Sequence, residues 1–368
     1  MKHYRYIHFL WANELKFNEP LVKMFTKLEN GFDMDEVLFV TPNQYVFDSL
    51  SNFGHFVLEK GRTASEIINE YANYCDWFFS HGIPNKIETL KIKRRFFKKA
   101  IWRTWGGSRT KSHWDKYHPI DSLINKMKDG LYYLFYRYTY GCSPAIGIAN
   151  VVDEIDLAEW GWAKHTTLLK IGYAHEGILN MLEKAKLNAK HDGRLRVLVG
   201  HQGNPGERHV AIAKQLLSYE ADFDIYVPLS YGNSLYIHEV LKELAVLDDK
   251  RIIPITDFMP FDSYLSLLAS MDVAILDEVS SMALGNIAYL LYFHAKIFLN
   301  NKGVIAKAFD KEGVPYLSSS QLPLLSYNEF AAPVPYPSSL QTSMMAGSYD
   351  AGVNRWHQAL AFLEGQRR

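Results

Sequence analysis

Arg196-Val-Leu-Val-Gly-His-Gln-Gly-Asn-Pro-Gly-Glu-Arg-His209 reads as a buried strand, a glycine-rich turn and the first turn of a helix. Val197, Leu198 and Val199 form the short aliphatic run that a parallel sheet buries on both faces. Gly200, Gly203 and Gly206 follow at a spacing of three. Asn204 suits an N-cap, Pro205 the first helical position, and Glu207 the far end of a capping box. Free amides at such a helix start, with no bulky side chain in the way, accommodate a phosphate. The spacing fits neither the dinucleotide fingerprint nor the P-loop, which needs Lys-Ser/Thr after its last glycine. From this stretch alone, an anion site and a tight βα turn without a ligand both stay open.

A chain of 368 residues suggests about two domains at roughly 150 residues each. Lys+Arg and Asp+Glu both number 40, so no global field points to nucleic acid, and basic character is local. Aromatic residues make up 14%, suiting stacking, sugar binding or an interface as well as core. Cys75 and Cys142 give neither a disulfide framework nor a metal spacing, and a reducing compartment is expected. The N-terminal apolar run is too short for a signal peptide, and no uncharged apolar run reaches about 18 residues. The sequence therefore predicts a soluble or peripheral protein.

Strands alternate with helices along the whole chain. Strands are expected at Tyr6–Trp11, Val37–Val40, His55–Leu58, Trp77–Ser80 and Ala145–Ala149, with helices at Pro20–Leu28, Ser65–Tyr74 and Val151–Trp160. In the second half Phe223–Pro228, Ile252–Pro254, Val273–Leu276 and Lys296–Asn300 read as strands. Leu235–Leu244, Phe261–Ala269, Asn286–His294 and a closing Asn354–Gly365 read as helices. This rhythm predicts open parallel sheets covered by helices, an α/β fold with ligands beyond the carboxyl ends of the strands. His81 and the loop Ala12–Asn18, with Glu14, occupy such ends, and Gly285-Asn286 begins a helix that offers a second anion site.

One segment stands apart: Lys86, Lys91, Lys93, Arg94, Arg95, Lys98, Lys99 and Arg103 are interleaved with Leu90, Ile92, Phe96, Phe97, Ile101 and Trp102. Such a segment docks on an anionic bilayer, at about 1 kcal/mol per cation near the surface, or is a solvated face over ordinary core, part of it a strand entering Trp105-Gly106-Gly107.

The second half resembles the nucleotide-sugar domain of two-domain GT-B glycosyltransferases. The resemblance rests on the glycine turn, the tract Asp257–Leu276 and the helix start Leu284-Gly-Asn-Ile287. Within that superfamily the chain is similar to the TDP-N-acetylfucosamine:lipid II N-acetylfucosaminyltransferase family, glycosyltransferase family 56. The segments that carry this are Val199–His209, Pro228-Leu-Ser-Tyr-Gly-Asn233, Phe79-Ser-His-Gly82, Trp102-Arg-Thr-Trp-Gly106 and Asp272–Asn300. Similarity extends from about Tyr6 to about Asn300.

The resemblance implies two Rossmann-like domains whose parallel sheets face a central cleft. Residues 1–165 would bind the acceptor, 166–345 the nucleotide sugar, and the helix in 346–368 would pack across. It implies transfer of a deoxy- or acetamido-sugar from a TDP- or UDP-sugar to a polyprenyl-diphosphate-linked glycan, at the inner face of a bacterial membrane. Neither cofactor, metal nor nucleic acid is implied. Asp33, Asp35, Asp222 and Asp224, in two Asp-x-Asp matches, precede or begin strands, away from the end where a metal-diphosphate site belongs. The donor diphosphate falls to Gly200, the amides of Gly203, Asn204, Gly285 and Asn286, and the cation of Arg208. Tyr231 would pack on the base or ribose, and Glu278 would touch the donor sugar. His81, then Glu14, is the expected base for the acceptor hydroxyl. Arg94, Arg95, Lys98, Lys99 and Trp102 would meet the membrane or acceptor. Two alternatives remain: a nicotinamide-dependent oxidoreductase, disfavoured by the missing fingerprint, and a binding scaffold without chemistry.

Overall fold

The computed structural model describes residues 1–13, 15–104, 130–131, 133–161, 166–172, 176–336 and 349–366. Glu14 and the Trp105-Gly106 end of the segment Trp102–Gly106 lie outside the described residues. The chain divides into two compact units, Met1–Glu176 with Gly347–Arg368, and Gly177–Ala346.

The first unit holds a seven-stranded sheet of β1 (Tyr4–Leu10), β2 (Val37–Thr41), β3 (Phe56–Leu58), β4 (Cys75–His81), β5 (Ala100–Arg103), β6 (Ala145–Ile148) and β7 (Thr167–Lys170). Their spatial order is β3-β2-β1-β4-β5-β6-β7. The second unit holds β8 (Leu195–Val199), β9 (Phe223–Pro228), β10 (Ile252–Ile255), β11 (Val273–Leu276), β12 (Lys296–Leu299) and β13 (Leu317–Ser318), in the order β10-β9-β8-β11-β12-β13. Every registered pairing is parallel. Both sheets are doubly wound, and strand order reverses between β1 and β4 in one and between β8 and β11 in the other. Ligand crevices belong at those points, beyond the carboxyl ends.

Continuous burial explains the strands. β2, β5, β6, β11 and β12 are buried at every position, as central strands covered by helices must be. Thr167–Lys170 was expected to open the second half, but it pairs with β6 and closes the first sheet. The first helix begins at Leu15 and carries Pro20 inside it, where the sequence suggests a start at Pro20.

The closing helix is longer than its pattern suggested, Tyr349–Gly365, and it belongs to the first unit. Trp356 is fully buried against Phe25, Phe79 and His8. Its Nε1 donates to the Gly172 carbonyl at 3.0 Å. The tryptophan therefore fastens the returning chain to the sheet's core.

Candidate functional site

The glycine turn after β8 sits at the reversal point of the second sheet, but it is built differently from its sequence pattern. Asn204 accepts from the Gly206 amide and caps only the single 3-10 turn Pro205–Glu207. A separate helix, His209–Leu217, starts after Arg208, whose backbone is left-handed at φ 53°. No capping box forms, because Glu207 is turned inward: it is fully buried, and its Oε1 meets His201 Nδ1. Burial pushes the Glu207 carboxyl up, against the opposing pull of His201.

The amides of Gly203 and Asn204, expected at a diphosphate, serve the turn itself. Gly203 N donates to the Tyr231 carbonyl at 2.8 Å and Asn204 N to that of Gln202 at 2.9 Å. Gly203 also accepts from the Asn233 amide at 2.8 Å and bridges Gly232, so the turns after β8 and β9 are stitched together. A Cβ on Gly203 would fall 2.1 Å from Ile237 Cγ1. Gly200 is left-handed at φ 74°, and a Cβ there would fall 2.3 Å from His209 Nε2. These glycines permit close packing of backbone.

What the turn presents is Arg208. Its side chain is 60% exposed, yet Nη1 lies 2.8 Å from Oδ2 of Asp277, a carboxylate of zero exposure at the end of β11. Asp277 is itself held by Ser319 Oγ, and its carbonyl accepts from Asn300 Nδ2 at 3.2 Å. One end of the guanidinium is thus fixed while most of it faces solvent. Glu278 turns back on its own loop, accepting from the amides of Val279 at 2.9 Å and Ser280 at 3.1 Å, and it lies over Gly206. It caps that loop.

Around Arg208 the second unit gathers aromatic rings and a helix start. Tyr231 is 51% exposed and lies near enough to Tyr264 to influence its ionisation. Burial pushes the Tyr264 hydroxyl up, and that hydroxyl accepts from Asn286 Nδ2 at 3.0 Å. Asn286 and the exposed Gly285 stand in the first turn of the helix Leu284–Tyr292, where amides lack intrahelical partners. The loops after β8, β9 and β11 therefore converge on one polar edge. His201, Glu207, Asp277 and Tyr264 were missed from sequence, although the Ile275-Leu-Asp277 strand end was a signal for Asp277.

In the first unit, His81 is 1% exposed, and its Nε2 lies 3.0 Å from Nδ1 of the buried His8. Burial, reinforced by His8 and Arg103, holds His81 well below the usual imidazole range. Contrary to the sequence reading, this imidazole is enclosed and a weak base. Trp102 is likewise fully buried, against Phe78 and Phe97. Lys99 Nζ donates inward to the carbonyls of Ala72 at 2.8 Å and Cys75 at 2.6 Å. Arg94, Arg95 and Lys98 are exposed, with Ile87 and Leu90 exposed in the same segment.

Both Asp-x-Asp pairs lie away from the carboxyl ends. Asp33 caps a short turn before β2, and Asp222 and Asp224 pair with Arg194 at 2.6 and 3.0 Å at the start of β9.

Known proteins match this architecture. A family model described as 4-alpha-L-fucosyltransferase glycosyl transferase group 56 matches residues 156–362, more than half of the chain. Among solved structures, trehalose 6-phosphate synthase from Burkholderia multivorans aligns with TM-score 0.59 and 10% identity, over 99% of this chain and 98% of that one. A glycosyltransferase from Rickettsia africae aligns with TM-score 0.57 and 9% identity over 99% of both chains. Anabaena HepE in complex with UDP aligns with TM-score 0.55 and 8% identity over 98% of both. At such identities these likenesses speak for the fold, two GT-B-type α/β domains.

Proposed function

Because this chain belongs to the 4-alpha-L-fucosyltransferase glycosyl transferase group 56 family and is a glycosyltransferase, we propose that it moves a deoxy- or acetamido-sugar from a TDP- or UDP-sugar to a lipid-linked glycan. The observation that carries the donor reading is Arg208, fixed at one end by buried Asp277 and otherwise open to solvent, at the reversal point of the second sheet. HepE, with the same fold, was solved with UDP.

In this reaction the bond from the anomeric carbon to the diphosphate oxygen breaks, and its electron pair stays on the diphosphate. The acceptor oxygen forms the new bond and releases its proton. A preset cation where that charge develops lowers the barrier. Arg208 supplies it, with the helix start at Gly285 and Asn286, and Tyr231 with Tyr264 offers faces for base or ribose. For the acceptor proton we retain Glu14, which follows β1 by four residues in the sequence; enclosed His81 is the poorer base.

A lipid-linked acceptor would be met at an anionic membrane surface. Supporting that reading, exposed Arg94, Arg95 and Lys98 accompany exposed Ile87 and Leu90. Leu131 and Leu134 are exposed on a helix whose Tyr138 ring lies 5.5 Å from Phe97. Cations beside exposed apolar side chains suit interfacial binding. No helix among the described residues is long and apolar enough to cross a membrane.

The test is a thermal-shift series with UDP, TDP, GDP, CMP and NAD. A ligand at a hundred times its dissociation constant adds about 2.7 kcal/mol. Stabilisation by TDP or UDP, reduced but still measurable in Arg208→Ala, is the expected result. Stabilisation by NAD alone, or by none of the five, would overturn the donor reading.

A further inference from the structure

The turn between β8 and the helix His209–Leu217 is bracketed by two left-handed residues, Gly200 at φ 74° and Arg208 at φ 53°. Glycine takes that conformation freely. A residue with a Cβ is disfavoured there by about 1–2 kcal/mol, so the fold must hold Arg208 in place.

Two contacts do so. One is the ion pair of Arg208 with Asp277, 2.8 Å long. The other lies one residue earlier, where Glu207 meets His201 Nδ1 with both side chains out of solvent. His201 leaves the end of β8 and Glu207 ends the turn, so their pairing ties one end of the loop to the other. Hydrogen bonds from Glu207 N to the Asn204 carbonyl and from Arg208 N to that of Pro205 tighten the same stretch.

Such a pair is costly to bury. Asp277 and Glu278 also face Glu207 and raise its carboxyl further. His209 lies close to His201, and Tyr231 and Tyr264 both sense Glu207. A well-packed apolar pair would fill this space without that cost, so its presence asks for a role.

Resting on the reading of this edge as the donor-diphosphate site, we propose that His201 and Glu207 are positioning residues. Their buried pairing holds Arg208 left-handed, with its guanidinium aimed at the diphosphate, and neither touches the donor. The pair acts only through Arg208, which separates this role from general support of the fold.

The experiment is a double-mutant cycle read by calorimetric titration with TDP and with UDP. His201→Ala should weaken binding of whichever diphosphate the wild-type chain takes by about tenfold, a usual size for coupled neighbours. Glu207→Gln, nearly isosteric, guards against a chain that fails to fold and should lose less. In an Arg208→Ala background neither change should weaken binding further, and in the Arg208-containing variants KM for the donor should rise more than kcat falls. Additive losses, or wild-type affinity in both single variants, would overturn the positioning role and leave the donor site standing. Failure of the wild-type chain to bind either diphosphate would overturn the donor reading and this proposal with it.

Discussion

Acid should destabilise the first unit through His8. This imidazole sits in the middle of β1, fully buried among Phe25, Phe39, Phe79 and Trp356, and its Nδ1 meets His81. Burial lowers its pKa from 6.5 to about 3. The sign follows from proton binding: between those values the unfolded chain takes up a proton that the folded chain refuses. Stability is therefore full above the unfolded value and falls as pH drops toward the folded one. Between pH 7 and pH 5 the loss from His8 is about 2 kcal/mol by linkage, and His81 shifts in the same direction. All eight tryptophans of the chain lie in the first unit, so their fluorescence in urea reports that unit's unfolding. His8→Gln removes the titration and alters baseline stability, so the quantity to compare is the change from pH 7 to pH 5. Wild type should lose about 2 kcal/mol more than the variant. Equal losses would refute the assignment of a neutral, proton-refusing His8.

Three further outcomes are expected. Gly203→Ala should cost about 1–3 kcal/mol, since the new Cβ meets Ile237 Cγ1 at 2.1 Å, and Ile237→Ala should relieve it. Gly232→Ala should cost more, because its Cβ meets Gly203 backbone oxygen at 2.4 Å and φ is 130°; circular-dichroism melts rank the three. Changing Arg94, Arg95 and Lys98 together to Gln should lower affinity for anionic liposomes by about a hundredfold, at about 1 kcal/mol per cation, with an unchanged Tm. Lys99→Gln should instead lower Tm, since its ammonium is bound to two backbone carbonyls. Sugar transfer should survive EDTA if Arg208 supplies the cationic charge, and loss restored by Mg²⁺ would contradict that.

The architecture was legible because burial on both faces leaves its mark in sequence. Val197–Val199 and Val273–Leu276 could be read as buried strands from their short aliphatic runs and the turn residues that follow. Ala100–Arg103 was visible only as an open alternative within a cationic run: Arg103 is buried with Nε on the Ile171 carbonyl at 3.0 Å, and such a partner cannot be read from spacing. Thr167–Lys170 is a partly exposed edge strand, and only its pairing assigns it to a sheet. Within the site, Arg208 and Tyr231 were visible as a cation and a ring in glycine-containing loops. Glu207 was not, since capping-box spacing and an inward-turned carboxylate look identical in one dimension. The outcome depends on whether His201 Nδ1 is within reach, which is a matter of three-dimensional packing.

The two units make the same point from opposite sides. His81 was chosen because it ends a strand, and Arg208 because it is a cation in the glycine-rich turn that follows one. One is enclosed and the other largely open. Around His81 the space is taken by the ring of His8 and the returning Trp356, so the cost of desolvating a charge drives it to a neutral, internal role. Around Arg208 the glycines at 200, 203 and 206 leave room for the side chains of His209, Ile237 and Glu278, and a single buried carboxylate anchors the guanidinium without covering it. Position at a strand end is thus a necessary condition for a working side chain in such sheets. What separates a site from a core residue is bulk next to it, and a glycine-rich loop is legible in sequence where a tryptophan arriving from the far end of the chain is not.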